Sequence, residues 1–332
     1  MTTPTPATAA TLPVAAPRAN GDWLTLTLRL TRWNLFQMWR RLMSKILLGL
    51  LLGFFALAML GLLLAFAASS GQSTQASSGI ADLLTFPRST ALAVEYVAFF
   101  GVVFTCILTG AVVGGEYGFN TLRLALSRGI GRGQVIVAQT LALLALAFGT
   151  ALGIALVGTL VGIIVGPLLG GTPEGLAGDG VTQLLGYIGA TGLRIFTYTM
   201  IALLFATLTR STAGGIGGAL GFIVVELVAL PIITVIITVQ RAVALATHLT
   251  LPGYVDVLSF VRAVFIQTNA DALVGAAREG PLSLNLAPVA RQATAFLPTP
   301  PSAAQAFLVL LVWCGAAGAL SYWLTRQRDV TD

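Results

Sequence analysis

Few residues in this sequence are of a type that can do chemistry, and their spacing matches no catalytic motif. Lys45 is the only lysine, and the Gly-x-x-x-x-Gly-Lys-Ser/Thr sequence that binds nucleotide phosphates is absent. His248 is the only histidine, which argues against a metal site there. Zinc-helix, Gly-x-Ser-x-Gly and Cys/His nucleophile patterns are missing too. The sequence therefore predicts no catalytic residue, no metal site and no cofactor bound by this chain.

Two ionisable residues, Arg194 and Glu226, lie inside long apolar stretches, where a charge is costly unless it is paired or faces water. Counting about 1.5 Å per residue from Arg210 places each of them roughly 22 Å up its own helix, and the two helices are antiparallel neighbours. We therefore expect the two side chains to pair. Two interpretations stay open: a gate or polar lining of a substrate path, or a structural ion pair that fixes helix packing.

The composition defines the elements that must position these residues. The 332 residues are 56% hydrophobic and 9% charged, with a mean hydropathy of +0.90. This excludes a water-soluble domain of this size and indicates a polytopic membrane protein. The net charge of +6 comes from basic residues beside apolar runs, so we expect membrane lipid and no nucleic acid as a partner. Cys106 and Cys314 lie within apolar runs, and we interpret them as packing residues.

The apolar runs predict the fold. We expect an all-α membrane protein with six transmembrane helices over residues 22–325, between a disordered tail (1–21) and a second tail (326–332). The third span is longer than a bilayer needs, and Gly166 and Pro167 are expected to end it. The six segments are about Ile46–Ala68, Tyr96–Gly114, Val135–Val165, Leu184–Leu208, Ala213–Val239 and Ala304–Leu324.

The arginines predict the orientation. They concentrate on one side of the predicted membrane, so we expect both termini to be cytoplasmic. Residues 22–44 are amphipathic and predict a helix that lies in the cytoplasmic interface; the alternative is the positively flanked start of the first span. Residues 240–303 are too long for an ordinary connection, and their helical spacing between prolines predicts short helices in an extracytoplasmic region between spans five and six.

The fifth span opens with glycines at helical spacing, a pattern that lets helix backbones approach closely. Packing within the chain is one explanation, and contact between two subunits is the other. These helix-packing candidates form two lines, Gly214 with Gly218 and Gly217 with Gly221.

A charged, glycine-punctuated segment from Glu116 to Gly133, EYGFNTLRLALSRGIGRG, separates two apolar runs. Its Glu-Tyr pair, Thr-Leu-Arg sequence, alternating leucines and later arginines resemble the first cytoplasmic loop of type-2 ABC exporter permeases. The sequence TLTRSTAGGIG, from Thr207 to Gly217, resembles the second cytoplasmic turn of that family. The resemblance extends over the six spans, both turns and the large outer region.

The resemblance implies that the loop over residues 115–134 contains a coupling helix that docks on a separate cytoplasmic ABC ATPase. It also implies paired membrane subunits, so we expect two ATPase subunits, which bind ATP and Mg, and a second permease subunit, identical or related. The expected function is ATP-driven export across the cytoplasmic membrane by alternating access. The residues assigned to ATPase coupling are Glu116, Tyr117, Asn120, Thr121, Leu122, Arg123, Leu126 and Arg128.

Some positions depart from the family pattern. Asn120 stands where relatives often have Gly, Gly129 where Pro is frequent, and Gln134 and Gln139 where basic residues are frequent. Three other interpretations remain: a loop whose arginines only obey the positive-inside rule, an ion-coupled secondary transporter with Glu226 as its midplane carboxylate, and a non-transporting sensor or assembly subunit. No motif identifies a substrate.

Overall fold

The computed structural model describes residues 23–69, 74–118, 131–171, 179–248, 250–277, 282 and 299–327. The predicted tail 1–21, residues 328–332 of the second tail and residues 119–130 lie outside this part. Within the described ranges the chain forms ten α-helices: α1 (Trp23–Arg40), α2 (Leu42–Ser69), α3 (Thr74–Leu84), α4 (Arg88–Gly118), α5 (Arg132–Leu168), α6 (Gly180–Thr209), α7 (Thr212–Thr247), α8 (Gly253–Val264), α9 (Ile266–Ala277) and α10 (Ala303–Gln327).

Six of these helices, α2, α4, α5, α6, α7 and α10, are long and apolar enough to cross a membrane, which confirms the six predicted spans. The third span, α5, has 37 residues and is about 55 Å long, well beyond the ~30 Å of hydrocarbon. It ends at Leu168, so Gly166 and Pro167 lie in its last turn. Helices α8 and α9 are bent by 69° and together pass the same test, so the pair is a seventh candidate span or a re-entrant loop.

Helix α1 is amphipathic in sequence and ends at Arg40, where α2 follows after one residue. The Ser44 hydroxyl donates to the Met38 carbonyl across this junction, and an Nη1 of Arg41 donates to the Ala111 carbonyl of α4 at 3.3 Å. These contacts fasten the junction of α1 and α2 to the bundle. The position of α1 in a membrane interface stays a prediction.

Helices α4 and α6 form the centre of the bundle. In the most apolar stretch of each, 67% and 78% of the residues are buried, against 17% in both α7 and α10. Helix α4 packs against α5, α6 and α7, whereas α6 packs against α4, α5, α7, α9 and α10. The buried Thr197 and Thr199 hydroxyls of α6 donate to carbonyls one turn earlier, so they need no partner from another helix.

Close backbone approach holds α4 in this place. A Cβ on Gly114 would lie 2.6 Å from the backbone of Ser211, and one on Gly162 of α5 would lie 2.0 Å from the Ser89 hydroxyl. Glycine is therefore required where α4 meets the α6–α7 turn at one end and α5 at the other.

The bundle has two distinguishable ends. At one, α2, α5 and α7 begin and α4, α6 and α10 end; we call it the arginine-rich end, since Arg41, Arg132, Arg210 and Arg326 lie there. An Nη1 of Arg132 donates to the Arg326 carbonyl at 3.2 Å, which joins the start of α5 to the end of α10. That this end is cytoplasmic, with both termini, stays a prediction.

Candidate functional site

The eight residues assigned to ATPase coupling divide at the end of α4. Glu116 and Tyr117 lie in its last turn, and Tyr117 packs partly buried against the core. The next described residue is Gly131, which directly precedes α5. Asn120, Thr121, Leu122, Arg123, Leu126 and Arg128 lie outside the described residues, so their roles stay predictions.

Glu116 is held by α5. The Nε2 of Gln139 donates to Glu116 Oε2 at 2.6 Å, and Arg41 lies close enough to Glu116 to stabilise its charge. Gln139 is 3% exposed, and its Oε1 has no hydrogen-bond partner among the described residues. We call Arg41, Glu116 and Gln139 the Glu116 cluster. It ties the base of the 116–133 segment to α5 and to the junction of α1 and α2.

Sequence reasoning missed this cluster. It treated Gln139 as a departure from the family pattern, where a basic residue is frequent, and assigned it no partner. One signal was present: Gln139 lies in the first turns of the third span, opposite the end of the second, and a polar side chain in an apolar helix requires a hydrogen-bond partner. The structure supplies that partner as a carboxylate.

The turn between α6 and α7 is built by its own residues. Arg210 adopts the left-handed conformation, with φ 51°, and ends α6. The Ser211 hydroxyl accepts a hydrogen bond from the Gly214 N–H at 3.0 Å and caps α7. This is the segment that resembles the second cytoplasmic turn of type-2 ABC permeases.

The predicted direct pair of Arg194 and Glu226 is wrong in its partners. An Nη1 of Arg194 contacts Asp271 Oδ1 of α9 at 2.7 Å. Glu226 accepts hydrogen bonds from the Tyr198 hydroxyl and from the Ile266 N–H at 2.8 Å. The depth argument holds, because both residues reach the same short helix, but α9 supplies the partners of both. We call these five residues the Glu226 cluster.

The bend between α8 and α9 explains why Glu226 is needed there. A helix that begins inside a bundle exposes backbone N–H groups, which are costly to leave unpaired away from water. Glu226, 1% exposed, caps the first N–H of α9 from the neighbouring helix. On the carbonyl side, the Asn269 amide donates to Ala263 and Phe265. The Trp313 indole of α10 donates to the carbonyl between those two, that of Val264.

These contacts favour the structural interpretation of both charged residues. Glu226 completes the hydrogen bonds of a broken helix, and Arg194 pairs with a residue of that same helix. Together they attach α9 to α6 and α7. Sequence reasoning missed Tyr198, Asp271 and Ile266; the acidic Asp271 was visible in the outer region, but nothing in the sequence indicates that its segment enters the bundle.

A cavity of about 760 Å³ adjoins the Glu226 cluster. It lies between α7, the α8–α9 pair and residues 300–303, on the side of the cluster away from the arginine-rich end. Its charged lining residues are Glu226, Arg262 and Asp271.

The two glycine lines of α7 have different surroundings. A Cβ on Gly214 would lie 2.2 Å from the Thr209 hydroxyl, and one on Gly218 would lie 2.4 Å from the Phe205 ring, so this line packs against α6. Gly217 and Gly221 would meet no atom within 4 Å. The first line thus serves packing within the chain, and the second lies on an open face of α7.

These features define the class of protein as a polytopic α-helical membrane protein with a central helix pair and a broken helix pair docked on it. The family model described as "ABC-2 family transporter protein" matches residues 37–330. The chain therefore belongs to the ABC-2 transporter family, as a membrane permease of ABC transporters, which confirms the resemblance of the 116–133 segment. No curated protein sequence matches the chain.

Proposed function

We propose that this chain is the membrane-spanning subunit of an ATP-driven exporter of the cytoplasmic membrane, moving its substrate by alternating access. Family membership supports the transporter class. The missing phosphate-binding motif supports an ATP site on another chain, since no segment of the sequence can bind the nucleotide phosphates in the usual way. We infer two ABC ATPase subunits, each binding ATP and Mg, and two permease subunits.

The observation that carries the coupling proposal is the place from which the 116–133 segment leaves the bundle. It connects α4, one of the two central helices, to α5. Because α4 packs against α5, α6 and α7, a displacement at its end acts on most of the core. Packed helices transmit such displacements because interiors are dense and resist compression.

The segment itself has the composition of a docking helix. Leu122 and Leu126 are four residues apart in the sequence, so in a helix they would form an apolar stripe, which in water would require a partner to cover it. Arg123 would then lie beside that stripe and face an acidic rim of the ATPase. The Glu116 cluster holds the base of the segment, so that movement of the docked helix passes to α5 and to the α1–α2 junction.

The open face of α7 supports a permease dimer. It carries Gly217 and Gly221, and the apolar side chains further along, including Val224, Val225 and Val228, are more than half exposed. Small residues on an exposed apolar face allow a second helix to approach closely in lipid. We infer that the two permease subunits meet along this face.

The test is copurification of the ATPase with the permease, together with ATP turnover in the reconstituted complex. Leu122→Asp should weaken ATPase binding strongly, because it places a charge in the buried centre of the contact. Arg123→Ala should act more mildly, as rim charges usually do. Leu124→Asp is the matched control, since position 124 falls on the other side of the predicted helix and should keep most of the binding.

Wild-type binding and wild-type ATP turnover in the Leu122→Asp protein would show that the segment is an ordinary loop. Insertion and folding of the permease should be unaffected in all three variants, which a melting curve of the purified chain checks.

A further inference from the structure

The cavity beside the Glu226 cluster has one polar wall and one apolar wall. The polar wall comes from α8 and α9 and includes Arg262, Gln267 and Asp271. The apolar wall comes from α7 and includes Leu227, Pro231 and Val235. A cavity built this way suits a molecule with a polar end and an apolar body.

Of the charged groups that line the cavity, the two acids already have partners. Glu226 accepts hydrogen bonds from Tyr198 and from the N–H of Ile266. Asp271 Oδ1 is bound by Arg194 at 2.7 Å. Arg262 is half-buried and makes no hydrogen bond or ion pair with a described residue. Asp271 also attracts Arg262, so among the described residues this one carboxylate is shared between Arg194 and Arg262, and the charge of Arg262 is only partly balanced.

A second guanidinium reinforces it. Arg241 of α7 is close enough to Arg262 to repel it electrostatically, and it too has no ion pair or hydrogen bond with a described residue. One more acid, Glu95 of α4, repels Asp271 electrostatically, but it accepts a hydrogen bond from Tyr187 and is not among the residues that line the cavity. The electrostatics around Arg262 thus favour an anion, and guanidinium groups bind phosphate well.

The position along α7 matches the boundary of a bilayer. At about 1.5 Å per residue from Thr212, Leu227 is roughly 22 Å and Val235 roughly 34 Å along the helix, and Arg241 is roughly 43 Å along it. The apolar wall then lies in the far half of a hydrocarbon layer of ~30 Å, with the arginines at the level of headgroups. Leu227 and Val235 are 47% and 60% exposed, so this wall continues into the outer surface of α7.

We propose that this cavity binds a lipid with an anionic headgroup, whose phosphate contacts Arg262 and Arg241 and whose chain lies along α7. The observation that identifies the ligand class is a pair of arginines whose charge is only partly balanced by Asp271, beside an apolar wall that continues into the outer surface of α7. The proposal concerns binding by this chain alone, so it does not depend on ATPase coupling.

The experiment measures lipid binding to the purified full-length chain in detergent, by native mass spectrometry. The probes are phosphatidylglycerol and phosphatidylcholine with the same acyl chains, and inorganic phosphate measured by calorimetry. Phosphatidylglycerol should bind roughly tenfold more tightly than phosphatidylcholine, since a charge-assisted contact contributes about that much. Inorganic phosphate, which has no chain, should bind much more weakly than phosphatidylglycerol.

Two variants locate the site. Arg262→Gln should remove most of the preference for phosphatidylglycerol, and it breaks no hydrogen bond or ion pair among the described residues, losing only the longer-range attraction to Asp271. Ala276→Trp places an indole at the cavity wall and should lower the affinity for both lipids, because it occupies the volume of the chain. The matched control is Arg88→Gln, which removes the same charge at the same end of the bundle and breaks only an exposed pair with Asp82.

Equal binding of the two lipids by the wild-type chain would overturn the proposal. So would an unchanged preference in Arg262→Gln, or an equal loss in Arg88→Gln, since either result would mean general attraction to a basic surface. Binding of inorganic phosphate as tight as that of phosphatidylglycerol would overturn the lipid assignment and leave a simple anion site.

Discussion

The Glu116 cluster and the Glu226 cluster both bring a carboxylate among packed helices, but they satisfy it in different ways. Glu226 binds a backbone N–H of α9 and a tyrosine hydroxyl. Glu116 binds the side-chain amide of Gln139, whose own Oε1 has no partner among the described residues. One carboxylate is therefore bonded to the main chain of another helix, and the other to a side chain with hydrogen-bonding capacity left over.

This difference has a mechanical consequence. A backbone N–H can move only with its helix, so the Glu226 cluster fixes α9 against α6 and α7. A glutamine side chain can change rotamer, and Gln139 can exchange its donor and acceptor. The Glu116 cluster can thus follow movement of the 116–133 segment without unfolding, whereas the Glu226 cluster provides a fixed support in the other half of the bundle.

The largest effect is expected from Glu226→Leu. It leaves the Ile266 N–H and the Tyr198 hydroxyl buried without an acceptor, and each such group costs about 1–3 kcal/mol. The melting temperature of the purified chain should fall sharply. Glu226→Gln keeps an acceptor oxygen of similar shape and should lose much less. If the Leu variant melts with the wild-type chain, Glu226 does not support α9.

A smaller effect separates the two possible partners of Arg194. The measurement is a double-mutant cycle on the thermal stability of the purified chain. Arg194→Leu combined with Asp271→Leu should show a coupling energy of about 1 kcal/mol. This is less than for a fully buried pair, because the Asp271 side chain is 54% exposed. Arg194→Leu combined with Glu226→Leu should show a smaller coupling energy, because these two charges attract each other without a direct hydrogen bond. Coupling in the second cycle that exceeds the first would restore the direct pair with Glu226.

The smallest effect on stability is expected in the Glu116 cluster. Gln139→Leu removes one hydrogen bond from a partly exposed carboxylate and should cost about 1 kcal/mol or less. Its main effect should be on the ratio of substrate movement to ATP turnover in the reconstituted complex. Gln139→Arg, which introduces the type of residue frequent in the family, should pair with Glu116 and keep the stability. A Gln139→Leu protein as unstable as Glu226→Leu would remove the distinction between the two clusters.

Much of the architecture followed from local properties of the sequence. A membrane requires each span to satisfy its own backbone hydrogen bonds, so a long apolar run with few charges becomes a helix whatever its neighbours are. All six predicted spans are present for this reason, and the over-long third span is present as α5. The family was likewise recognisable, because a charged, glycine-punctuated segment between two such runs is a local pattern.

The ends of the helices were less predictable. Helix α4 begins at Arg88, eight residues before the expected Tyr96, because Ser89 and Thr90 are buried against α5 and tolerate an apolar environment there. Helix α3 occupies part of a segment rich in Ser, Gln and Gly, a composition that is typical of solvated loops. Hydropathy measures the preference of a residue for lipid, and it contains no term for burial against another helix.

What only the tertiary structure decided is which groups meet. The sequence determined that Arg194 and Glu226 need partners and that they lie at a similar depth, since both conclusions depend on position within one helix. The identity of those partners depended on α9 bending by 69° back against α6 and α7, where its first N–H and Asp271 became available. The same holds for Gly217 and Gly218, which are neighbours of one type in the sequence. They are separated by 100° around the helix axis. Gly217 therefore lies on the open face of α7, whereas Gly218 packs against the Phe205 ring.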